Sequence, residues 1–372
     1  MPGSFSLKKF SDLDLNDPFF DSLKSDYPIG GRVKPFEVWF PEKSQEGRTA
    51  LVFDDDEGLG AFVCIKFETE SIVLQDKILP SKKRCKITTI KIAERFRGQR
   101  LGEGAIGLVL WKWRDSECDD IYVTTFDKHD LLISQLLKFG FTKVGYNING
   151  EGVYLRSRSS IDYSNPYKSF PFINPNFKNA GYLCVNDYYH DTLFPYSELK
   201  NTLQSAVALS VKNGFSKIYV GAQYTVPPYK IGEPILVYRI HTGAGVKRYK
   251  SCITSFCIVT NVIAIKRNGT PLLSFDNLLD KIGNKSVYNI GELQTKYYTD
   301  NNMFIIEMLY YGFFGEGHNI NMDTLDANGF WSNSHGGIYP ALIRLTPEEF
   351  KQILRKGNIN VNNVIINQTS IC

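Results

Sequence analysis

The chain has 372 residues, of which 43% are hydrophobic and 22% charged, and its formal net charge is +4. This composition is ordinary for a soluble globular protein, and the length allows two or three domains with sizeable cores. No apolar run approaches the ~20 residues that a membrane-spanning helix needs, so we predict no membrane segment.

Cysteine usage and the N-terminus bear on the compartment. The seven cysteines include no Cys-x-x-Cys pair, so neither a disulfide framework nor a zinc site is indicated, and we expect no bound metal. The first ten residues lack the uninterrupted apolar core of a secretory signal. We therefore expect a cytoplasmic protein.

The first elements predicted along the chain are a short helix and three strands. Asp17 followed by Pro18 is typical of a helix start, and the helix should extend to Lys24. Strands are predicted over residues 36–40, 49–53 and 61–67, the last two joined as a hairpin by an acidic, glycine-containing turn.

A strand, a glycine turn and a helix then follow in direct succession. Residues 87–92 predict a strand, and Ile106, Val109, Leu110 and Trp113 form the apolar stripe of the helix. The amides of a first helical turn attract anions, and nearby glycines let a ligand approach the backbone. Arginines 95, 97 and 100 add positive charge. The expected ligand is a pyrophosphate.

A second strand and helix follow this turn at a regular distance. Residues 121–126 predict a strand, residues 131–139 a helix that ends at Gly140, and residues 141–145 the next strand. A strand at 153–155 is expected to close the sheet. Neither the Gly-x-Gly-x-x-Gly pattern of a dinucleotide site nor the Gly-Lys-Ser/Thr of a P-loop is present, which leaves a structural turn as the alternative.

The two segments together resemble the GNAT N-acetyltransferase superfamily, whose acyl-CoA loop reads Arg/Gln-x-x-Gly-x-Gly/Ala between a strand and a helix. Arg97 matches the first position and Gly102 the last, while Arg100 stands at the middle glycine. The resemblance covers residues 36–155 and implies an α/β (α+β) domain over residues 1–155, with a mixed sheet flanked by helices. It also implies acetyl-CoA as the acyl donor.

The resemblance implies the residues that hold the acyl donor. They are the end of the strand and the turn after it: Ile90, Ile92, Arg97, Gln99, Arg100, Gly102, Glu103 and Gly104. Many family members have a tyrosine acid where this chain has Leu136. His129 and Glu94 are the candidate catalytic residues. The alternatives are a surface histidine at a helix start, a glutamate paired with arginines, and a Glu103 that serves the helix dipole.

The remainder is predicted to contain a linker and a second domain. Residues 156–214 favour a linker and wrapping segment with one helix capped by Ser197. In the second domain, residues 215–372, strands are expected at 217–220, 235–240, 251–265 and 304–311. A capping box at Thr346 opens a helix that should reach Leu354.

The order of these elements resembles PUA-like and ASCH-like domains, which implies a small β-barrel within an α+β domain and recognition of RNA or of a base-like molecule. The candidate substrate-binding residues are Arg239, Lys247, Arg248, Tyr249 and Trp331. Two alternatives stay open. The aromatic residues fill the core, or the domain forms a homodimer or covers the acetyl site.

The sequence therefore predicts an enzyme that transfers an acetyl group from acetyl-CoA to an amine acceptor, which the C-terminal domain selects and which is RNA-linked or nucleotide-like. The competing hypothesis is a catalytically weak CoA-binding protein whose C-terminal domain binds RNA or a small base-like ligand, in a toxin or phage-defence role. Leu136 favours the second hypothesis, and the retained phosphate turn favours the first.

Overall fold

The structure is a computed structural model that describes residues 4–31, 33–194, 213–222 and 228–366. Within it the chain forms two compact units, Met1–Ile161 and Asp162–Ser370.

The first unit is built on one mixed sheet with the strand order β1-β2-β3-β4-β5-β7-β6. Among the described strands of this unit, only β4 and β5 pair in parallel, and the other neighbouring pairs are antiparallel. The strands are β1 (Ser4–Lys9), β2 (Thr49–Asp55), β3 (Gly58–Val73), β4 (Ile78–Ile92), β5 (Asp120–Thr125), β6 (Thr142–Tyr146) and β7 (Gly152–Ser157). The helices are α1 (Asp21–Asp26), α2 (Phe36–Gln45), α3 (Leu101–Arg114) and α4 (Asp130–Lys138). The mixed sheet flanked by helices is confirmed.

The helices of the first unit cover both faces of the sheet. Side chains of α1 and α2 share a buried aromatic cluster with Val52 and Phe62, whereas Leu101 at the start of α3 packs with Phe53 and Ala61. Neighbouring residues of a strand point to opposite faces, so α1 and α2 lie on one side and the start of α3 on the other.

The prediction of a strand at residues 36–40 is wrong, because this segment begins helix α2. Pro35 precedes the helix, and Phe36 and Phe40 are 4% and 3% exposed. One helical turn apart, the two rings lie 5.8 Å from each other and join the same cluster, where Phe40 stacks on Phe10. The segment had no helical period longer than one turn to distinguish it from a strand.

The second unit has its own sheet, with the order β8-β10-β11-β13-β9 and two short strands beside β11. The strands are β8 (Gly181–Asn186), β9 (Ser216–Gly221), β10 (Pro234–Ile240), β11 (Cys252–Arg267), β12 (Thr270–Pro271), β13 (Met303–Phe313) and β14 (Ile320–Asn321). The helices are α5 (Pro166–Ser169), α6 (Asp187–Leu193), α7 (Lys247–Lys250), α8 (Phe275–Ile282), α9 (Ile290–Thr299), α10 (Met322–Ala327), α11 (Pro347–Lys356) and α12 (Val361–Val364).

Two expectations for the second unit change with this topology. Strands β8 and β9 stand at the two ends of the order, and within the described ranges no pairing joins them, so the predicted small barrel is not closed there. The predicted linker over residues 156–214 contains a buried strand, since β8 pairs in parallel with β10 from Gly181 to Asn186. The first five residues of this strand are all buried, so it lacks the alternation that would have revealed it.

The second unit also agrees with the sequence at several points. Thr346 and Glu349 form the expected capping box at the start of α11, with the Glu349 amide donating to Thr346 Oγ1 at 3.3 Å. The predicted strands at 217–220, 235–240 and 304–311 fall within β9, β10 and β13, and the one at 251–265 matches β11 except for its first residue. The helix predicted after Ser197 lies outside the described residues.

Candidate functional site

Strands β4 and β5 separate before either of them ends. Their parallel pairing runs only from Arg84 and Asp120 to Ile87 and Val123, although β4 continues to Ile92. The register between β3 and β4 shifts at the same level, so that Thr88 is an extra residue in β4. A bulge of this kind bends its strand. The edge of β4 beyond Ile87 therefore faces an opening between the two strands.

The turn that the sequence predicts to bind an anion follows β4 directly. One turn of 3-10 helix, Glu94–Phe96, follows β4, and α3 begins at Leu101. Gly98 has φ +78°, and an added Cβ there would meet nothing within 4 Å. The side chain of Arg100, the N-cap residue, makes no capping hydrogen bond, and the amides of the first turn and the positive end of the helix dipole are directed at the turn.

Arg100 occupies a backbone conformation that favours glycine. It caps α3 with φ 62° and ψ 15°, in the left-handed region. Its side chain turns to Glu103, with a nitrogen-to-oxygen distance of 2.8 Å, and the other Glu103 oxygen lies 3.5 Å from Lys138 Nζ of α4. Glu103 is only 7% exposed. The side chains of Arg100 and Glu103 thus connect α3 to Lys138 of α4. The groups of these two residues that face the turn are therefore their backbone amides.

The three arginines of the turn have different partners. Arg95 contacts Asp55 at 2.7 Å and the Gly58 carbonyl at 2.8 Å, which ties the acidic hairpin between β2 and β3 to the turn. Arg97 is exposed, and no ion pair of its side chain is found in the part of the chain that the structure describes. Arg97 is therefore the cation of this turn that a phosphate can reach.

The other predicted donor-binding residues lie along the same path. Ile90 and Ile92 pair with Val63 and Ala61 of β3, which leaves their other backbone edge toward the opening. Gly102 is the second residue of α3, and a Cβ added there would meet only Ile92, at 3.8 Å. Gln99 lies in the turn, with its side-chain amide donating to the Arg95 carbonyl at 3.0 Å. Gly104 is buried within the first turns of α3.

The two candidate catalytic residues have different surroundings. His129 lies at the N-terminus of α4, and its Nε2 is 3.0 Å from Asp26 Oδ2 at the end of α1. Glu94 is exposed in the 3-10 turn. Leu136, which the sequence resemblance aligns with a tyrosine acid, is 1% exposed in the core. Asp26 was missed, because the predicted first helix ended at Lys24 and nothing in the sequence links it to His129.

Lys91, near the end of β4, is held by α1. Its ammonium group donates to Ser22 Oγ and lies 5.2 Å from the centre of the Phe19 ring. Burial lowers the pKa of Lys91, against the charges of Asp26, Asp21 and Glu94, which raise it. Helix α1 thus contacts both the end of β4 and the segment that follows β5.

The predicted substrate-binding residues of the second unit do not form one exposed surface. Trp331 is 3% exposed and packs on Tyr182 and Tyr238 with centroid distances of 5.2 and 4.4 Å, so it belongs to the core. Arg239 makes a two-pronged contact with Asp191 at 2.8 and 2.9 Å. Neither side chain is available to stack on or bind a ligand at the surface.

The basic loop of the second unit is partly neutralised. Arg248 contacts Asp323 at 2.6 Å and Asp326 at 2.9 Å. Lys247 and Tyr249 beside it are exposed.

A buried polar network lies behind Arg239. His190 is fully buried, with Nδ1 2.8 Å from Asp191 Oδ1 and Nε2 2.7 Å from Thr254 Oγ1. Because a carboxylate only accepts, Nδ1 carries a proton, and in the neutral imidazole Nε2 accepts from the threonine hydroxyl. Burial lowers the pKa of His190, in agreement with this arrangement.

Several solved structures are similar to part of this chain. A GNAT-family acetyltransferase from Listeria monocytogenes is 20% identical, with a TM-score of 0.32, over 41% of this chain and 94% of its own. Ard1 from Thermoplasma volcanium is 13% identical, with a TM-score of 0.30, over 42% and 98%. Arabidopsis thaliana Naa50, in complex with a bisubstrate analogue, is 16% identical, with a TM-score of 0.28, over 41% and 99%.

At these scores the similarities carry no argument about activity. No protein-family model matches the chain, and no curated protein matches it. Among the described residues, no helix is both long and apolar enough to cross a membrane.

Proposed function

We propose that the first unit is an acyl-CoA-dependent N-acetyltransferase that binds acetyl-CoA between β4 and β5. The observation that carries this proposal is the early end of the β4–β5 pairing at Ile87 and Val123, next to the start of α3. An extended chain of amide groups, such as a pantetheine arm, pairs with a free strand edge as another strand would. The free edge of β4 offers such pairing over residues 88–92.

The pyrophosphate of the donor would lie at the turn from Gln99 to Gly104. The first-turn amides of α3 supply hydrogen bonds, and the dipole of a 14-residue helix favours negative charge at its start. Arg97 supplies a cation, and Gly98 and Gly102 keep the surface of the turn free of side chains. These features together support a diphosphate at the turn.

Acyl transfer also needs donors for the developing oxyanion and an acceptor for the proton of the amine. The unpaired backbone edge of β4 provides amide donors close to where the acyl group would lie. His129 follows β5 at the start of α4, and histidine is the side chain that most often serves as a general base. We assign it the role of general base and leave Glu94, exposed in the 3-10 turn, as the second choice.

The second candidate function is a CoA-binding protein that has lost acyl transfer. The observation that favours it is the burial of Leu136, which leaves no proton donor where the family places its tyrosine. General acid help contributes about 10²–10⁴-fold in rate, and a thiolate is a good leaving group without it. The absence of the acid should therefore slow acyl transfer without abolishing it.

For the second unit we propose selection of the acceptor, with an RNA-linked or nucleotide-like amine as the expected class. Exposed Lys247 and Tyr249 support contact with a phosphate and a base. With Trp331 in the core and Arg248 held by two aspartates, the surface that remains for such a ligand is small.

Calorimetry with acetyl-CoA on the full chain tests the binding proposal. In Gly102→Glu a carboxylate enters the turn, and repulsion from the diphosphate should abolish binding. Gly291→Glu is the matched control, because Gly291 is also the second residue of a helix, α9, and its added Cβ approaches only Asn289 Oδ1 at 3.4 Å. The control should bind as the parent does.

Thiol release from acetyl-CoA then separates the enzyme from the binding protein. The assay would offer polyamines, peptides with free N-termini and extracted tRNA as acceptors. Release that depends on an acceptor supports the enzyme, and binding without release under all acceptors supports the second candidate. No binding by the parent, or equal binding by Gly102→Glu, contradicts both.

A further inference from the structure

Asp26 connects helix α1 to the candidate base. One oxygen of its carboxylate lies 3.0 Å from His129 Nε2, and the other accepts a hydrogen bond from Lys128. The Asp26 side chain is 11% exposed and that of His129 is 39% exposed. A largely buried carboxylate thus holds a histidine that solvent can reach.

This contact determines where the proton of a neutral His129 lies. A carboxylate only accepts hydrogen bonds, so Nε2 must carry the proton, and Nδ1 then has a free lone pair. No hydrogen bond to Nδ1 is found within the described ranges. The ring is therefore oriented through one nitrogen and open for proton transfer at the other.

The pair also lies at the ends of the separated strands. His129 follows β5, which ends at Thr125, and the charge of Asp26 also acts on Lys91 near the end of β4. Asp26 is thus close to residues on both sides of the opening. The sequence gives no sign of this, because Asp26 and its partners are separated by about a hundred residues.

We propose that Asp26 is a positioning residue that holds His129 in its Nε2-protonated form, with Nδ1 as the base for the acceptor amine. This inference rests on the proposed acetyltransferase function. The amine nitrogen bonds to the acyl carbon while the carbon–sulfur bond breaks. The proton lost by the nitrogen goes to His129 Nδ1, and the sulfur leaves as a thiolate that takes a proton from water.

Nitrogen-15 NMR of the histidine rings in the full chain tests the pairing without any substrate. When its ring is neutral, His129 of the parent should carry the proton on Nε2, and Asp26→Ala should show a mixture of the two neutral forms. Asp21→Asn is the control, because Asp21 lies on the same helix but pairs with Lys24. A parent protonated at Nδ1, or an unchanged spectrum in Asp26→Ala, overturns the inference.

Kinetics test whether the pair acts as one unit. With acetyl-CoA and the best acceptor of the thiol assay, Asp26→Ala should lower kcat about 10–100-fold and leave the KM for acetyl-CoA unchanged, and Asp26→Glu should recover part of the loss. Residues that act together are non-additive, so Asp26→Ala combined with His129→Gln should be no slower than His129→Gln alone. Multiplied losses would overturn the inference.

The two proposals fail in different ways. If the parent does not bind acetyl-CoA in the calorimeter, or binds it without transfer to any acceptor, the proposed function fails and the catalytic role of Asp26 fails with it. If the parent transfers acetyl groups and His129→Gln does so at the same rate, only the inference about the pair is wrong.

Discussion

Arg84 of β4 and Asp120 of β5 form a buried ion pair at the level where the parallel pairing of the two strands begins. Arg84 Nε lies 3.2 Å from Asp120 Oδ2, and the two side chains are 2% and 4% exposed. The rest of the guanidinium donates to the carbonyls of Glu70 and Pro80, at 2.5 and 2.7 Å. The ion pair thus holds β4 and β5 together where their pairing begins, and the two strands separate beyond Ile87 and Val123.

Loss of this ion pair should destabilise the first unit strongly. Removing one partner of a buried ion pair costs about 3–5 kcal/mol, because the other charge stays buried. Without Arg84, Asp120 would keep a contact with Lys82 Nζ at 3.9 Å. We therefore expect Arg84→Met to lower the denaturation midpoint of the first unit in urea. Lys83→Met, which removes an exposed partner of Glu117, should leave the midpoint where it is. Similar midpoints for the two variants would show that the ion pair of Arg84 does not stabilise the first unit.

Replacing Arg100 by glycine should leave the protein more stable than replacing it by alanine. A residue with a Cβ pays roughly 1–2 kcal/mol in the left-handed region, and glycine pays no such cost. Both substitutions lose the contact with Glu103, so their difference isolates the backbone term. In thermal unfolding, the midpoint temperature of Arg100→Gly should be higher than that of Arg100→Ala. The reverse order, which is usual inside a helix, would mean that the turn is not left-handed at this residue.

The second unit should lose stability as the pH falls below about 6.5. The pKa of folded His190 is lowered by burial, so the unfolded chain binds the proton more readily. The stabilisation is therefore complete above the unfolded pKa and is lost as the pH falls toward the folded one. Urea titrations should show a slope of up to about 1.4 kcal/mol per pH unit from this group. His190→Gln should reduce that slope, and an unchanged slope would contradict the assignment.

RNA binding by the second unit, if it occurs through the basic loop, should depend on the lysines more than on Arg248. Gel shifts over a salt series measure how steeply the affinity falls with salt. This slope reports the number of phosphates that the protein neutralises, because each neutralised phosphate releases counterions. Lys247→Ala with Lys250→Ala should flatten the salt slope. Arg248→Ala should leave it unchanged, because Asp323 and Asp326 already neutralise that guanidinium. A flatter slope in Arg248→Ala alone would mean that RNA displaces the aspartates.

Local sequence signals were sufficient for the strand, turn and helix of the candidate site. The apolar stripe of Ile106, Val109, Leu110 and Trp113 predicted α3, and all four side chains are buried. The glycines of the turn predicted an open backbone. Patterns of this kind are carried by residues within two turns of one another, so a single sequence shows them.

Contacts between distant residues could not be read in the same way. Asp26 reaches His129, and Arg84 reaches Asp120, only after the sheet has formed. The glycines and the histidine around Trp331 in sequence make it a candidate for ligand binding, with a place in the core as the alternative, and Tyr182 and Tyr238 enclose it in the core. An aromatic residue beside glycines fits a pocket and a core equally well until its neighbours are known.

Hydrogen exchange of the full chain with and without acetyl-CoA tests the central claim most directly, because it locates the ligand along the backbone. We expect added protection of amides in residues 88–92 and 98–104, where the edge of β4 and the start of α3 face the opening. Helix α9 should exchange at the same rate in both conditions. Binding that protects other segments and leaves these two unchanged would contradict the account.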